Sequence, residues 1–483
     1  MGTMSAMKTE ARALHSRAIK LLRAGRADEA VVVLKQVLNL FPNNSSVTLD
    51  LGSALRKAGR FKEAAMTTRS ALAHMADNAG AWSNLGNALK DLGDIENSLT
   101  AHGRAVALAP KDPLYWLNQA VALSFAGRPA EALASIGRVL ELQPGNVEAA
   151  WERAQLLLMQ GNFADGWPAY ECRWQLSNPP PKLVTGPEWD GRPFPGRMLH
   201  LFCEQGFGDT ILALRFLPQV KALGGNITVE CQPQIFPLVQ RLPWVDRIIA
   251  KDGERPPFDY CLSLMSLPRL FASRAEAMNG APYLVPSPET EACLAPLFAS
   301  AQGMTRIGII WSGSTTFRRN NIRAITLPTL LEAVHGVPGI RLYSLQKGPP
   351  ERELHDLPPG HGIVDLAPHL HDFGDTAAAI RHLDLVIMTD SAVAHLCGAL
   401  GRPVWVLLGF GSYVLWGRNP ESTCWYDSMR LFRQDRPGDW AGVSHRVWNA
   451  LLDRTLRANN DETPAPRKFT LEGVGEQSRG HAQ

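Results

Sequence analysis

Small residues recur along the first third of the chain with a step of 34 positions. Gly25, Gly59, Gly93, Gly127 and Gly161 stand in register, each flanked by helix-forming sequence. Two further positions keep the same step, Ala18, Gly52, Gly86, Ala120 and Ala154 at one and Ala30, Ala64, Ser98, Ala132 and Gly166 at the other. Small side chains at fixed places let paired helices approach closely, and the glycine supplies the turn between them. Pro42, Pro110 and Pro144 recur where the second helix of a pair must stop, because proline fixes φ and has no N–H to donate. The spacing predicts helical pairs over 11–44, 45–78, 79–112 and 113–146, with a fifth from 147.

After the Pro-rich stretch NPPPKLVTGPEWDGRPFPG the period changes to short apolar runs that end in glycine and are followed by helical patterns. MLHLFCEQ, NITVECQP and the segment around DYCLSLMSLP read as strands, with GFGD as a turn and TILALRFLPQVKALG as a helix. From Thr305 a second set follows, in which RIGIIWSG, IRLYSLQKG, GIVDLAP, LDLVIMTDSA and RPVWVLLGF are strand candidates. Strand and helix in alternation predict parallel sheets, so the chain divides into a repeat domain (1–180), a connector (181–197), two doubly wound α/β halves (198–304 and 305–458) and a polar tail (459–483). Ligands of such sheets bind beyond the carboxyl ends of the strands, which directs attention to the loops GFGD, WSGSTTFRRNNIR, LQKG and TDSAVAH.

The 34-residue unit resembles the tetratricopeptide repeat, with Trp82 and Trp116 at its aromatic position. The fifth unit drifts into GNFADGWPAYECRW, where Trp167, Tyr170, Arg173 and Trp174 suit a last helix that docks on the region behind it and caps the stack. Grooves of stacked helical pairs hold peptides or proteins, so a protein partner is expected there.

Composition narrows the field. Forty-nine Lys and Arg against 46 Asp and Glu leave a net charge of +3, far from the concentrated positive field of a nucleic-acid binder. Seven cysteines without a CxxC pair suggest neither a disulfide framework nor a zinc site, and read as small buried residues in a reducing compartment. No apolar run reaches membrane-spanning length, the opening MGTMSAMKTEAR lacks a signal-peptide core, and Ala6 stands where a myristoylation signal wants Ser or Thr, so a cytoplasmic location is expected.

Each loop carries two readings. In Glu204-Gln205-Gly206-Phe207-Gly208-Asp209, Asp209 falls near a helix start, where it either caps the helix or, kept ionised by the helix dipole, accepts a proton from a hydroxyl. Asp390-Ser391-Ala392-Val393-Ala394-His395 opens another helix whose first N–H groups suit a diphosphate; the alternative is a plain cap with His395 packed inward. Arg318, Arg319, Arg323 and Lys347 are cations on these loops, suited to phosphate oxygens or to solvent. No residues show metal-ligand spacing and no GxSxG elbow occurs.

Together CEQGFGDTILALRFLP, RxITLP, SLQKG, DLAPHLHDFGDTAAAI and TDSAVAHLCGALGRPVWVLL resemble bacterial proteins in which tetratricopeptide repeats are fused to a glycosyltransferase family 9, heptosyltransferase-like domain. The resemblance implies a B-type glycosyltransferase fold of two Rossmann-like halves, the first on the acceptor side and the second on the nucleotide-sugar side. It further implies inverting, metal-independent transfer, with the nucleotide sugar as co-substrate and no cofactor. By the same resemblance Asp209 is the general base, with Glu204, Gln205, Gly206 and Gly208 on the acceptor-side loop. Asp390, Ser391, Ala392, Val393 and His395 bind the donor's nucleotide and phosphates, Arg323 pairs with the diphosphate, and Gln346 and Lys347 face the donor. The acceptor is a protein presented by the repeats, or a lipopolysaccharide or capsule glycan; a transferase half without turnover would leave a scaffold that binds a protein partner. STTFRRNNIRA and GSYVLWGRNPE depart from the family's loops, although Trp416 is kept.

Overall fold

The five register glycines all adopt positive φ, between +72° and +90°, the left-handed turn that a Cβ resists. Around them the computed structural model, which describes residues 2–180, 184–204, 206–317, 320–411 and 414–458, forms ten helices in five antiparallel pairs. They are α1 (Gly2–Arg23), α2 (Ala27–Leu40), α3 (Ser45–Lys57), α4 (Phe61–Leu72), α5 (Ala79–Leu92), α6 (Ile95–Leu108), α7 (Pro113–Phe125), α8 (Pro129–Leu142), α9 (Val147–Met159) and α10 (Phe163–Tyr170). Asn44, Asn78, Asp112 and Asn146, again 34 apart, cap the first helix of a pair by accepting a backbone N–H, which satisfies one of the donors a helix start leaves orphaned. Gln205, Arg318, Arg319 and the tail 459–483 lie outside the described residues.

The small-residue positions are where the helices touch. A Cβ at Gly86 would stand 2.7 Å from the ring of His102 on α6, and one at Gly166 would stand 2.8 Å from Leu158. His102 is fully buried in this contact and neither ring nitrogen has a hydrogen-bond partner.

The last pair docks as its aromatic-rich sequence suggests. Trp167 and Phe163 of α10 meet Trp425 edge-on at 6.1 and 6.5 Å, and Trp167, Tyr170, Leu158 and Ala154 belong to the same apolar core as Leu199, Val229 and Met388 of the α/β region. Burying one such aromatic removes roughly 150–250 Å² from water, about 4–6 kcal/mol before entropy is charged, so this junction is held by a shared core. A second contact lies further up the stack, where Phe125 at the end of α7 packs on Phe410 (5.4 Å) and Arg418 donates to the Gly127 carbonyl (3.0 Å).

The α/β region contains two sheets. β1 (Met198–Phe202), β2 (Asn226–Cys231), β3 (Arg247–Ala250) and β4 (Tyr260–Ser263) pair in parallel in the order β3-β2-β1-β4. β5 (Thr305–Ile310), β6 (Ile340–Ser344), β7 (Val364–Asp365), β8 (Leu385–Thr389), β9 (Val404–Leu408) and β10 (Met429–Arg433) pair in parallel in the order β10-β9-β8-β5-β6-β7. β1 and β5 are the points at which strand addition reverses direction.

In the connector Trp189 is buried and the Trp189 and Pro187 backbones bond to Cys261, which extends the first sheet beyond β4. Two expectations need correction. β3 and β10 are edge strands that the apolar-run criterion passed over, since RIIA is largely half-exposed and MRLFR carries an arginine at either side of its apolar pair. Of the cysteines, Cys293 is exposed and Cys172 and Cys424 are only partly buried.

Candidate functional site

At the reversal points of parallel sheets the loops leaving neighbouring strands part in opposite directions and open a crevice. Three of the candidate loops leave from there, Glu204–Asp209 after β1, Ser312–Arg323 after β5 and Asp390–Ser391 after β8. The first continues into helix α11 (Phe207–Ala213), whose N-terminal boundary residue is Gly206. Asp209 is the third residue of that helix and accepts the Gly206 backbone N–H, so it closes the helix start from within.

The two halves meet at α11. A Cβ on Gly208 would lie 2.9 Å from the His395 ring and 3.5 Å from the Ala392 Cα, so only glycine lets α11 lie on the start of the helix Ala392–Ala399. Asp209 of the first half and the Asp390–Ser391 turn of the second are thereby neighbours. Gly208→Ala is expected to lower stability by about 1–2 kcal/mol even though alanine is the better helix former, because His395 is wedged against Trp416 (4.7 Å, near-parallel rings) and cannot retreat. An unchanged denaturation midpoint would show that the halves separate freely.

The electrostatics of Asp209 differ from the expectation. The helix start favours the ionised form but is outweighed; the pKa is pushed up to about 6, first by removal from water, then by the negative charge of Glu204 and that of Asp390, against the opposing Gly206 N–H and the charge of Arg173. The side chain is nevertheless only partly buried. A reachable carboxylate poised near neutrality is what proton abstraction from a hydroxyl requires.

On the facing side the Ser391 hydroxyl is buried without a partner, at the head of a helix whose first N–H groups have no intrahelical acceptor. Ala392 and Val393 form its first turn and are partly exposed. Asp390 is buried and its pKa is raised by loss of water, while the positive charge of Arg323 opposes the rise. The Trp416 indole N–H favours the same carboxylate without closing a hydrogen bond to it. Arg323 stacks on Phe317 (4.3 Å) and donates to Asn320 (3.1 Å), over a surface that Gly313 and Gly409 leave bare. Asp209, Arg323, Asp390 and Ser391 are therefore brought into one neighbourhood, in which Asp390 acts on Asp209 and Arg323 acts on Asp390.

The remaining candidates are placed otherwise. His395 is buried between Trp416 and Tyr426, bonds the Tyr426 hydroxyl at 3.0 Å, and has its pKa lowered to about 3 by burial and by the charge of Arg215. It is neutral at ordinary pH, so the inward-packing reading holds and it offers no charge to a phosphate. Gln346 accepts the N–H groups of Trp311 and Ser312 and donates to the carbonyls of Ser312 and Lys347, which fills all four of its hydrogen-bonding places and latches the loop after β5. Lys347 is exposed and donates to the Ala367 carbonyl (2.8 Å). Glu204 is buried in an ion pair with Arg173 (2.6 Å) and also accepts from Ser263, so it belongs to the junction with the repeats.

One residue the motifs passed over is Arg215. It is buried, donates to the carbonyls of Met278 and Trp425, and lies over the rings of Tyr283, Trp425 and Tyr426 at 5.0, 5.0 and 4.6 Å, clamping the two halves together. Its signal was the single charge inside the apolar helix TILALRFLP. Among the described residues no group of three His, Cys, Asp or Glu is arranged to hold a metal ion, and no helix is long and apolar enough to cross a membrane.

Family models for the tetratricopeptide repeat match residues 21–68, 79–112 and 117–171, and the chain carries these repeats. Protein FlbA of Caulobacter vibrioides is 30% identical over 326 residues, which cover 62% of this chain and 54% of that protein, so the chain spans about half the length of the curated relative it matches. Among solved structures, a thermophilic TPR protein of Thermus thermophilus is 18% identical, covering 35% of this chain and 91% of its own, with a TM-score of 0.33. MamA of Desulfovibrio magneticus RS-1 is 18% identical, covering 34% of this chain and 92% of its own, with a TM-score of 0.29.

Proposed function

We propose that the α/β region is a B-type glycosyltransferase that moves a sugar from a nucleotide-sugar donor to a hydroxyl acceptor with inversion and without a catalytic metal. The observation that carries this reading is the juxtaposition of Asp209, with its pKa pushed up to about 6, and the head of the helix Ala392–Ala399 across the Gly208 contact. Asp209 takes the acceptor's proton as its oxygen attacks the anomeric carbon. Arg323, the Ser391 hydroxyl and the N–H groups behind it receive the departing nucleotide diphosphate. The repeats, which dock on both the first and the second half, would present a protein acceptor to this crevice; a glycan acceptor is the alternative.

A thermal-shift screen against UDP-, GDP-, ADP-, CMP- and dTDP-sugars without added metal tests the donor side. One donor class is expected to raise the midpoint by several degrees, since a ligand at a hundred times its Kd adds about 2.7 kcal/mol to the native state. Arg323→Ala is expected to abolish the rise. No shift from any donor at millimolar concentration would sink the reading.

One set of observations favours a second reading, a repeat scaffold that binds a partner without turnover. His395, Gln346 and Lys347 are each hydrogen-bonded within the protein. Donor binding without product would support it.

A further inference from the structure

The repeat domain ends in the short turn Glu171–Gln175, and from it Arg173 enters the α/β core with 1% of its surface exposed. Its guanidinium grips Glu204 through Nε (3.0 Å) and Nη2 (2.6 Å), and donates to Glu171 (2.7 Å) and Ser266 (2.8 Å). Tyr170 and Trp174 cover it at 4.9 and 4.4 Å. A planar fork held by two carboxylates, a hydroxyl and two aromatic rings keeps its partner in one orientation. That partner is the residue at the head of the loop whose fifth residue beyond it is Asp209.

The second half is reached in the same way. Phe125 of α7 packs on Phe410 and Gly411, and the adjoining Gly409 lies so close to the Ile322 carbonyl and the Arg323 backbone that no side chain fits there. Asp209 is thus linked to a side chain of the repeats through Glu204, and Arg323 through Gly409 and Phe410.

We propose that Arg173 is a positioning residue of the site: by neutralising and orienting Glu204 it lets Asp209 exist as a carboxylate, so that the repeat domain is a working part of the crevice and not only a docking arm. Three charges act on Asp209, those of Glu204 at the end of β1, Asp390 at the end of β8 and Arg173 in the repeat cap. Two of them are negative. With the single positive one removed, the charge of Glu204 stands uncompensated and disfavours the ionised form of Asp209 further. This inference rests on Asp209 being the working group of the proposed transferase, but its test does not.

The test titrates Asp209 in the full-length chain labelled with ¹³C at the aspartate carboxyl carbons, its resonance assigned by its loss in Asp209→Asn. Arg173→Met is expected to move the midpoint up by about one pH unit or more, a tenfold loss of the ionised form on the acid side. Arg173→Met combined with Glu204→Gln returns it to the native value or below. Glu204→Gln alone moves it down, and this arm stands even where Arg173→Met does not fold. Midpoints that stay in place in the folded variants would overturn the proposal, leaving Arg173 a structural tie. Midpoints that move as expected while no nucleotide sugar gives product uphold the role of Arg173 and remove the transferase reading.

Discussion

On the proposed transferase reading, Asp209→Asn is expected to keep nucleotide-sugar binding and to lower the rate of transfer at least about a hundredfold, the loss that follows removal of a positioned general base. Asparagine keeps the shape and can still accept the Gly206 N–H, so α11 and its contact with the second half persist. It cannot take a proton. A second readout needs no substrate. The folded pKa of Asp209 lies at about 6, above the ordinary aspartate value of 3.8, so the folded state binds the extra proton between those values. The native protein loses stability as pH rises through that window and carries the full penalty at neutral pH, on the order of 3 kcal/mol. The asparagine variant is expected to denature at a higher temperature than the native protein at pH 7 and to lose that advantage towards pH 4. Stability gained as activity is lost is the mark of a group held in place for its chemistry. In the native protein the rate should rise with pH through about 6 and then level. Native turnover in Asp209→Asn, or no difference in midpoint at pH 7, would remove Asp209 from the mechanism.

The repeat region was legible in the sequence because its physics is local. A left-handed turn demands glycine, and close helix contacts demand small side chains, so both appear as a bare 34-residue step at Gly25 through Gly161. The sheets were legible where strands are buried on both faces, as in β8 and β9, and illegible at the edges, where β3 and β10 mix charged and apolar residues. The candidate site was legible as loops and not as partnerships. Spacing brought out Asp209 and Ser391, but nothing local says that Gly208 must accept the His395 ring across the interface, or that Glu204 is claimed by an arginine 31 residues earlier in another domain. Gln346 and His395 show the converse. Their types suit a ligand site, and their burial uses them internally, which only the packed structure reveals.

Acid should weaken the repeat domain through a single side chain. His102 is fully buried against Gly86, both ring nitrogens lack partners, and its pKa is lowered to about 4 by burial and by the nearby positive charge of Lys90. The ring therefore stays neutral in the folded chain at a pH where the unfolded chain has already bound a proton. Its contribution is complete above the ordinary histidine value of 6.5 and is lost as pH falls towards 4, a change of about 3 kcal/mol. An apolar side chain of similar volume has no such term. His102→Leu is expected to match the native midpoint near pH 7.5 within a few degrees and to exceed it clearly at pH 4.5, so the two melting curves, followed by the helical circular-dichroism signal, diverge as pH falls. Because α5 and α6 lie in the middle of the stack and pack mainly on the neighbouring pairs, the difference should appear first in the repeat transition. Parallel pH dependence of the two proteins would mean that the His102 ring finds water or a partner on protonation, and that burial at this position places no limit on the repeat domain in acid.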